Sequence, residues 1–341
     1  MKLDLSSKQS LCVLRLSAIG DVCHAVAMVQ TIQRRYPHLA ITWVVGKVEY
    51  QLVKHLPNVE FVIFDKSQGW RSYTNLKQSL NGQCFDVLLH MQVALRASIA
   101  SLMIKADIKV GFDKARAKEG QWLVTNHAIA PQQEPHVLDG FMGFARAIGV
   151  EDLTPQWNIP IPDADEQWAQ QQCQQPTFII CAAASKAERN WLPERYAEVA
   201  DHMANKGYQV MLCGGPSGLE KQLANSIIEH SQTELINQVG NTSLLQLLAL
   251  LKHAKLVLAP DTGPAHMATT QGTPVIGLYA HSNPGRTGPY NDRDKVVSVY
   301  CDVIAEQQGA NVPWGKRAKG EGLMERITTE QVIQQLEQCV N

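Results

Sequence analysis

Short apolar runs alternate along the chain with stretches in which apolar residues recur every three or four positions. Residues 11–16 (LCVLRL) are too few for a helix and read as a strand. Residues 22–35, with Val22, Val26 and Val29 on one face, read as the helix behind it, stopped by Tyr36-Pro37. The same alternation predicts strands at 41–45, 61–64, 86–91 and 109–112, and helices at 48–55, near 94–104 and at 136–148. Residues 151–176 break the pattern. Pro155, Pro160, Pro162 and Pro176 punctuate a Gln-rich segment that reads as a linker with one short helix. The alternation then resumes, with strands at 178–181, 210–213, 256–259 and 275–279. Helices are expected at 193–206, 219–230, 244–253, 265–270 and 328–340. Strands this apolar, separated by helices, form parallel sheets covered on both faces. The expected fold class is therefore α/β, with Rossmann-like domains at 1–165 and 166–341, the last helix (328–340) being able to pack back on the first domain.

Composition narrows the function. The 341 residues give room for two domains of roughly 150 residues each. With 31 Lys+Arg against 32 Asp+Glu, the chain carries a net charge of −1, which argues against a nucleic-acid binder driven by bulk charge. The eight cysteines are scattered without a C-x-x-C pair, so buried, reduced thiols in a cytoplasmic protein are expected. No signal-peptide core or 18-residue apolar stretch is present, so any membrane contact is expected to be peripheral.

Residues 256–290 (LVLAPDTGPAHMATTQGTPVIGLYAHSNPGRTGPY) hold the densest chemistry. Pro260 to Pro264 cannot continue the strand; Asp261 or Thr262 can cap the next helix, and Pro264 suits its first turn. In a parallel sheet such a turn lies at the carboxyl edge, where ligands bind. The N–H groups of Thr262 and Gly263, at the positive end of a helix, are a seat for phosphate. On spacing alone the stretch is equally a capped helix with no ligand.

Asp261-Thr262-Gly263-x-x-His266, followed by Gly272-Thr273-Pro274, Leu278-Tyr279 and Arg286-Thr287-Gly288-Pro289, resembles the signature of glycosyltransferase family 9. Ser17 to Asp21 with His24 (S-A-I-G-D-x-x-H) is similar to the family's N-terminal motif. That family contains the ADP-heptose:lipopolysaccharide heptosyltransferases. The resemblance implies a GT-B fold, two Rossmann-like domains facing a central cleft. It also implies inverting, metal-independent transfer of heptose from ADP-heptose, as donor substrate and without a cofactor, to the lipopolysaccharide inner core. The N-terminal half is similar to the heptosyltransferase I branch, which acts on 3-deoxy-D-manno-octulosonic acid; heptosyltransferase II or another family 9 transfer is the alternative. From a different class, a nucleotide-sugar epimerase or a non-catalytic sugar-nucleotide binder would suit the same fold. The lipid-linked acceptor implies work at the inner face of the cytoplasmic membrane, and no nucleic acid.

Transfer needs a base, charge stabilisation for departing ADP, and alignment of the two sugars. Asp21 matches the family's base, although an Asp there also suits a helix start. No Asp-x-Asp pair stands in a metal-binding context, so cations and N–H groups must hold the diphosphate. The family places a Lys two residues before Trp191; here Arg189 stands there, with Lys186 three residues earlier, and either can serve. Ser185 matches a hydroxyl that contacts phosphate. Glu220, after Gly214-Gly215-Pro216, matches an acidic residue on ribose or adenine, or is an exposed helix-start Glu. Thr242 would lie near adenine, and His266 near the phosphate or heptose, or in the core. On the acceptor side stand His24, Arg96, Lys114, Arg116 and Lys118, several of them in the loop 113–120, which also reads as a solvated loop. Trp70, Arg71 and Trp122 suggest a surface for anionic lipid. His136 matches a family position of unassigned role.

Overall fold

The computed structural model describes residues 3–308 and 315–340, in two compact units, Met1–Pro160 and Ile161–Asn341. The first unit runs β1 (Ser10–Leu14), α1 (Ile19–Arg35), β2 (Ala40–Gly46), α2 (Lys47–Val53), β3 (Val59–Phe64), α3 (Arg71–Ser79) and β4 (Phe85–His90). It continues with α4 (Leu95–Leu102), β5 (Ala106–Gly111), β6 (His127–Ala128) and α5 (Val137–Ala147). All six strands are parallel, in the order β3-β2-β1-β4-β5-β6. The central strand β1 buries Leu11 to Leu14 completely, and Val22, Val26 and Val29 of α1 are equally buried.

The second unit opens with α6 (Asp163–Gln172), β7 (Thr177–Ile180), α7 (Pro193–Asn205), β8 (Gln209–Leu212), α8 (Gly218–His230) and β9 (Ile236–Asn237). Then come α9 (Leu244–His253), β10 (Leu256–Pro260), α10 (Gly263–Thr270), β11 (Val275–Tyr279), α11 (Pro284–Thr287), β12 (Val296–Ser298), α12 (Tyr300–Gln308) and α13 (Thr329–Val340). Its sheet order is β12-β11-β10-β7-β8-β9, again parallel. Counted from its own first strand, this is the wiring of the first unit. Both sheets therefore have a topological switch point, between β1 and β4 and between β7 and β10, outside which ligands bind.

The alternation of strand and helix is as expected, with differences at particular elements. The helix expected from residue 22 starts at Ile19, which puts Asp21 inside its first turn. α3 was not anticipated, because only Ser72 and Leu76 of its residues are buried and its apolar stripe is too thin to register. Edge strands β6 and β9, of two residues each, are below any pattern. The Gln-rich segment holds α6, tied to α9 by Glu166, which meets Lys252 and His253 at 2.8 Å each. α13 packs on α7, where His202 and Lys206 hold Glu337 at 2.7 and 2.5 Å. All eight cysteines are free; Cys12, Cys23, Cys181 and Cys213 are buried, and Cys84 and Cys301 are exposed. Burial pushes the Cys181 thiol up to about 12, so it stays protonated.

Candidate active site

At the switch point of the first unit the turn after β1 is fastened to the end of β4. Gln92 Oε1 accepts from the N–H groups of Leu16 and Ser17 at 2.8 and 3.3 Å. Arg15, unread by sequence because it sits within an apolar run, is buried. Its guanidinium pairs with Asp21, donates to Met91 O at 2.6 Å and lies 5.1 Å from the centroid of the Phe141 ring. The guanidinium spans two partners, one terminal nitrogen on Met91 O and the other on Asp21 Oδ2, so it ties the carboxylate to the end of β4. The Asp21 side chain remains 33% exposed and so can be reached from solvent. It also accepts from Ala18 N at 3.5 Å, so the capping role and an accessible carboxylate coexist.

His24 is buried, edge-on to His136 at 5.3 Å between ring centroids. His136 caps α5, its Nδ1 accepting from Leu138 N at 3.1 Å. A second histidine sits at the end of β4. His90 is fully buried, neither ring nitrogen has a hydrogen-bond partner among the described residues, and burial, with Lys109 and Arg15 nearby, pushes its pKa down to about 4. The cations assigned to the acceptor divide into two groups. Arg116 is engaged with Asp113 and Gln132 and lies over Phe112 at 5.3 Å. Arg96, Lys114 and Lys118 are exposed.

At the switch point of the second unit the turns after β7 and β10 are interlocked. Thr262 is the N-cap residue of α10, yet its hydroxyl donates to Ala183 O at 3.1 Å instead of capping its own helix. Arg189, 72 residues from Asp261 in sequence, pairs with it at 3.4 Å and donates to Ser185 Oγ at 3.0 Å. Its Nε is buried without a hydrogen-bond partner among the described residues. A buried N–H with nothing to donate to, beside the positive end of a helix, is a site short of an acceptor. Lys186 is exposed and 3.7 Å from Glu188, so of the two candidate cations Arg189 stands at the turn. His266, one turn into α10, is buried.

Glu220 and Thr242 follow β8 and β9, the next strands along the same edge. The Glu220 carboxylate closes its own turn, accepting from Gly215 N and from Ser217 Oγ. A Cβ on Gly214 would lie 2.7 Å from Glu220 Oε2, so a side chain there would displace that carboxylate. Thr242 is half-buried, just before the Ser243 cap of α9. Among the described residues no group of three His, Cys, Asp or Glu side chains could hold a metal ion.

Two doubly wound units with polar groups gathered at both switch points define an α/β protein of the GT-B fold. The glycosyl transferase family 9 structure from Veillonella parvula superposes with a TM-score of 0.83 at 22% identity, over 99% of this chain and 98% of that one. The structure of Escherichia coli heptosyltransferase WaaC with ADP-2-deoxy-2-fluoro heptose gives 0.70 at 19% identity, over 97% and 99%. The chain belongs to glycosyltransferase family 9 (heptosyltransferase), whose profile matches residues 73–314, and is thus a glycosyltransferase. It is 46% identical to the lipopolysaccharide core heptosyltransferase OpsX of Haemophilus influenzae over 98% of both chains.

Proposed function

We propose that the protein transfers heptose from ADP-heptose to the 3-deoxy-D-manno-octulosonic acid of the lipopolysaccharide inner core, with inversion and without a metal ion. The observation that carries this reading is the interlocked turn of the second unit, where Arg189, Ser185, Asp261 and Thr262 meet at the N-terminus of α10. Arg189 and the first N–H groups of α10 take the diphosphate. Glu220 and Thr242 take the adenosine further along the edge, and His266 lies beside the sugar. Asp21, oriented by Arg15, accepts the proton of the acceptor hydroxyl as its oxygen bonds to the anomeric carbon and ADP departs. His24 and the cations Arg96, Lys114, Arg116 and Lys118 serve the acidic acceptor side. The acceptor is lipid-linked, so the reaction belongs at the inner face of the cytoplasmic membrane. The first-heptose branch rests on the stretch LRLSAIGDVCHA (14–25), the block 41–65 and the loop KARAKEGQWL (114–123).

The test is ADP release from ADP-heptose, with and without deacylated, heptose-free core. Release should depend on acceptor, which separates transfer from epimerisation or mere binding. Asp21→Asn should lower kcat by about two to four orders of magnitude, the range of a general base, with ADP affinity unchanged. EDTA should leave the rate as it was. Full activity in Asp21→Asn would remove that residue from its role.

A further inference from the structure

The segment after β5 is held from inside and presents its apolar residues outward. Gln121 is fully buried; its Oε1 accepts from Phe112 N at 3.0 Å and its Nε2 donates to His90 O at 2.9 Å. Glu119 Oε2 accepts from Leu95 N at 2.6 Å and so closes the first turn of α4. These two attachments leave Trp122 and Leu123, three and four residues past Glu119, 59% and 78% exposed, and Leu95, which Glu119 holds, is 56% exposed. Single apolar residues at a surface are ordinary, but three large ones assembled by a buried anchor are not. Arg96, next to Leu95 in sequence, and Lys114 and Lys118, in the segment before Gln121, are exposed and form no ion pair among the described residues.

We propose that Leu95, Trp122 and Leu123, with these three cations, dock the protein on a membrane surface carrying anionic lipid. The indole and leucine side chains enter the headgroup boundary, and the three cations, which also face the acidic, lipid-linked acceptor there, meet lipid phosphates. Charge decides against a second copy of the chain, since a two-fold contact through this patch would set like cations against each other. The overall charge of −1 makes the attraction local to this face. Trp70, 76% exposed, and Arg71 follow β3 at the same edge of the sheet. They stand three strands from β4, about 14 Å at the usual strand spacing, and supply a second point of contact. The purpose of docking rests on the proposed lipid-linked acceptor; the patch itself does not.

Co-sedimentation of the full chain with phosphatidylcholine vesicles, with and without phosphatidylglycerol, tests this without donor or acceptor. Binding should require phosphatidylglycerol and weaken as salt is raised. Trp122→Ser combined with Leu123→Ser should weaken it by about tenfold or more, as loss of two large apolar groups demands, with the melting temperature unchanged. Lys114→Glu with Lys118→Glu should weaken it while leaving the apolar groups in place. No binding to anionic vesicles, or undiminished binding by the Trp122/Leu123 variant, overturns the proposal. So does a dimer in sedimentation velocity that this variant converts to monomer. The same variant should release ADP normally on soluble deacylated core. Vesicle binding without any transfer would refute the proposed reaction and leave the docking surface standing.

Discussion

Single residues show where charge and burial conflict. At the end of the central strand β4 His90 keeps both ring nitrogens unpartnered among the described residues, with Arg15 and Lys109 near enough to oppose its protonation. Folded, it titrates at about 4 instead of 6.5, so between those values the unfolded chain binds the extra proton. Its contribution is therefore complete above pH 6.5 and shrinks as pH falls towards 4, by about 3 kcal/mol across the window. In His90→Leu the melting temperature should be maintained or raised at pH 8, since two orphaned nitrogens disappear, and its decline between pH 6.5 and 4 should flatten. An unchanged acid profile would show that His90 is not the group responsible. Asp21 poses a different conflict, resolved by Arg15: one carboxylate both closes a helix turn and stays open to solvent.

Elements place those residues, and here the turns matter more than the strands. In the β8–α8 turn the Glu220 carboxylate lies where a Cβ on Gly214 would go. Gly214→Ala should lower stability by about 1 kcal/mol in denaturant titration, as the displaced carboxylate loses its hydrogen bonds to the turn, and should weaken ADP binding if Glu220 helps hold adenosine. Loss of stability with ADP affinity intact would confine Glu220 to the turn. The strands, α1, and most of the second unit's helices were legible because their burial is periodic; α9 and β11 fall on the expected residues. α3 and the short edge strands were not, because little of α3 is buried and the strands are too short to show a period. At the site, Asp261-Thr262-Gly263 could be read directly, since cap and strand end are local signals. That Arg189 reaches Asp261, that Thr262 turns its hydroxyl to Ala183, and that Arg15 holds Asp21 depend on how strands lie side by side. Spacing along the chain carries no trace of those neighbours.

At the scale of the whole molecule the same wiring is used twice, in sheets whose sequences show no repeat at a fixed period. The two switch points are furnished differently. One has a carboxylate braced by a buried arginine; the other has a guanidinium with an unused N–H at a helix start. A ligand specificity written into one set of loops can then drift while the other is preserved. Exchanging residues 1–160 for the matching part of a heptosyltransferase that uses another acceptor should yield a chimera with borrowed acceptor preference and unaltered nucleotide affinity. A chimera that folds yet loses ADP would show that the halves are not separable trades. If they are, evolution has needed to invent only half an enzyme each time the core oligosaccharide gained a sugar.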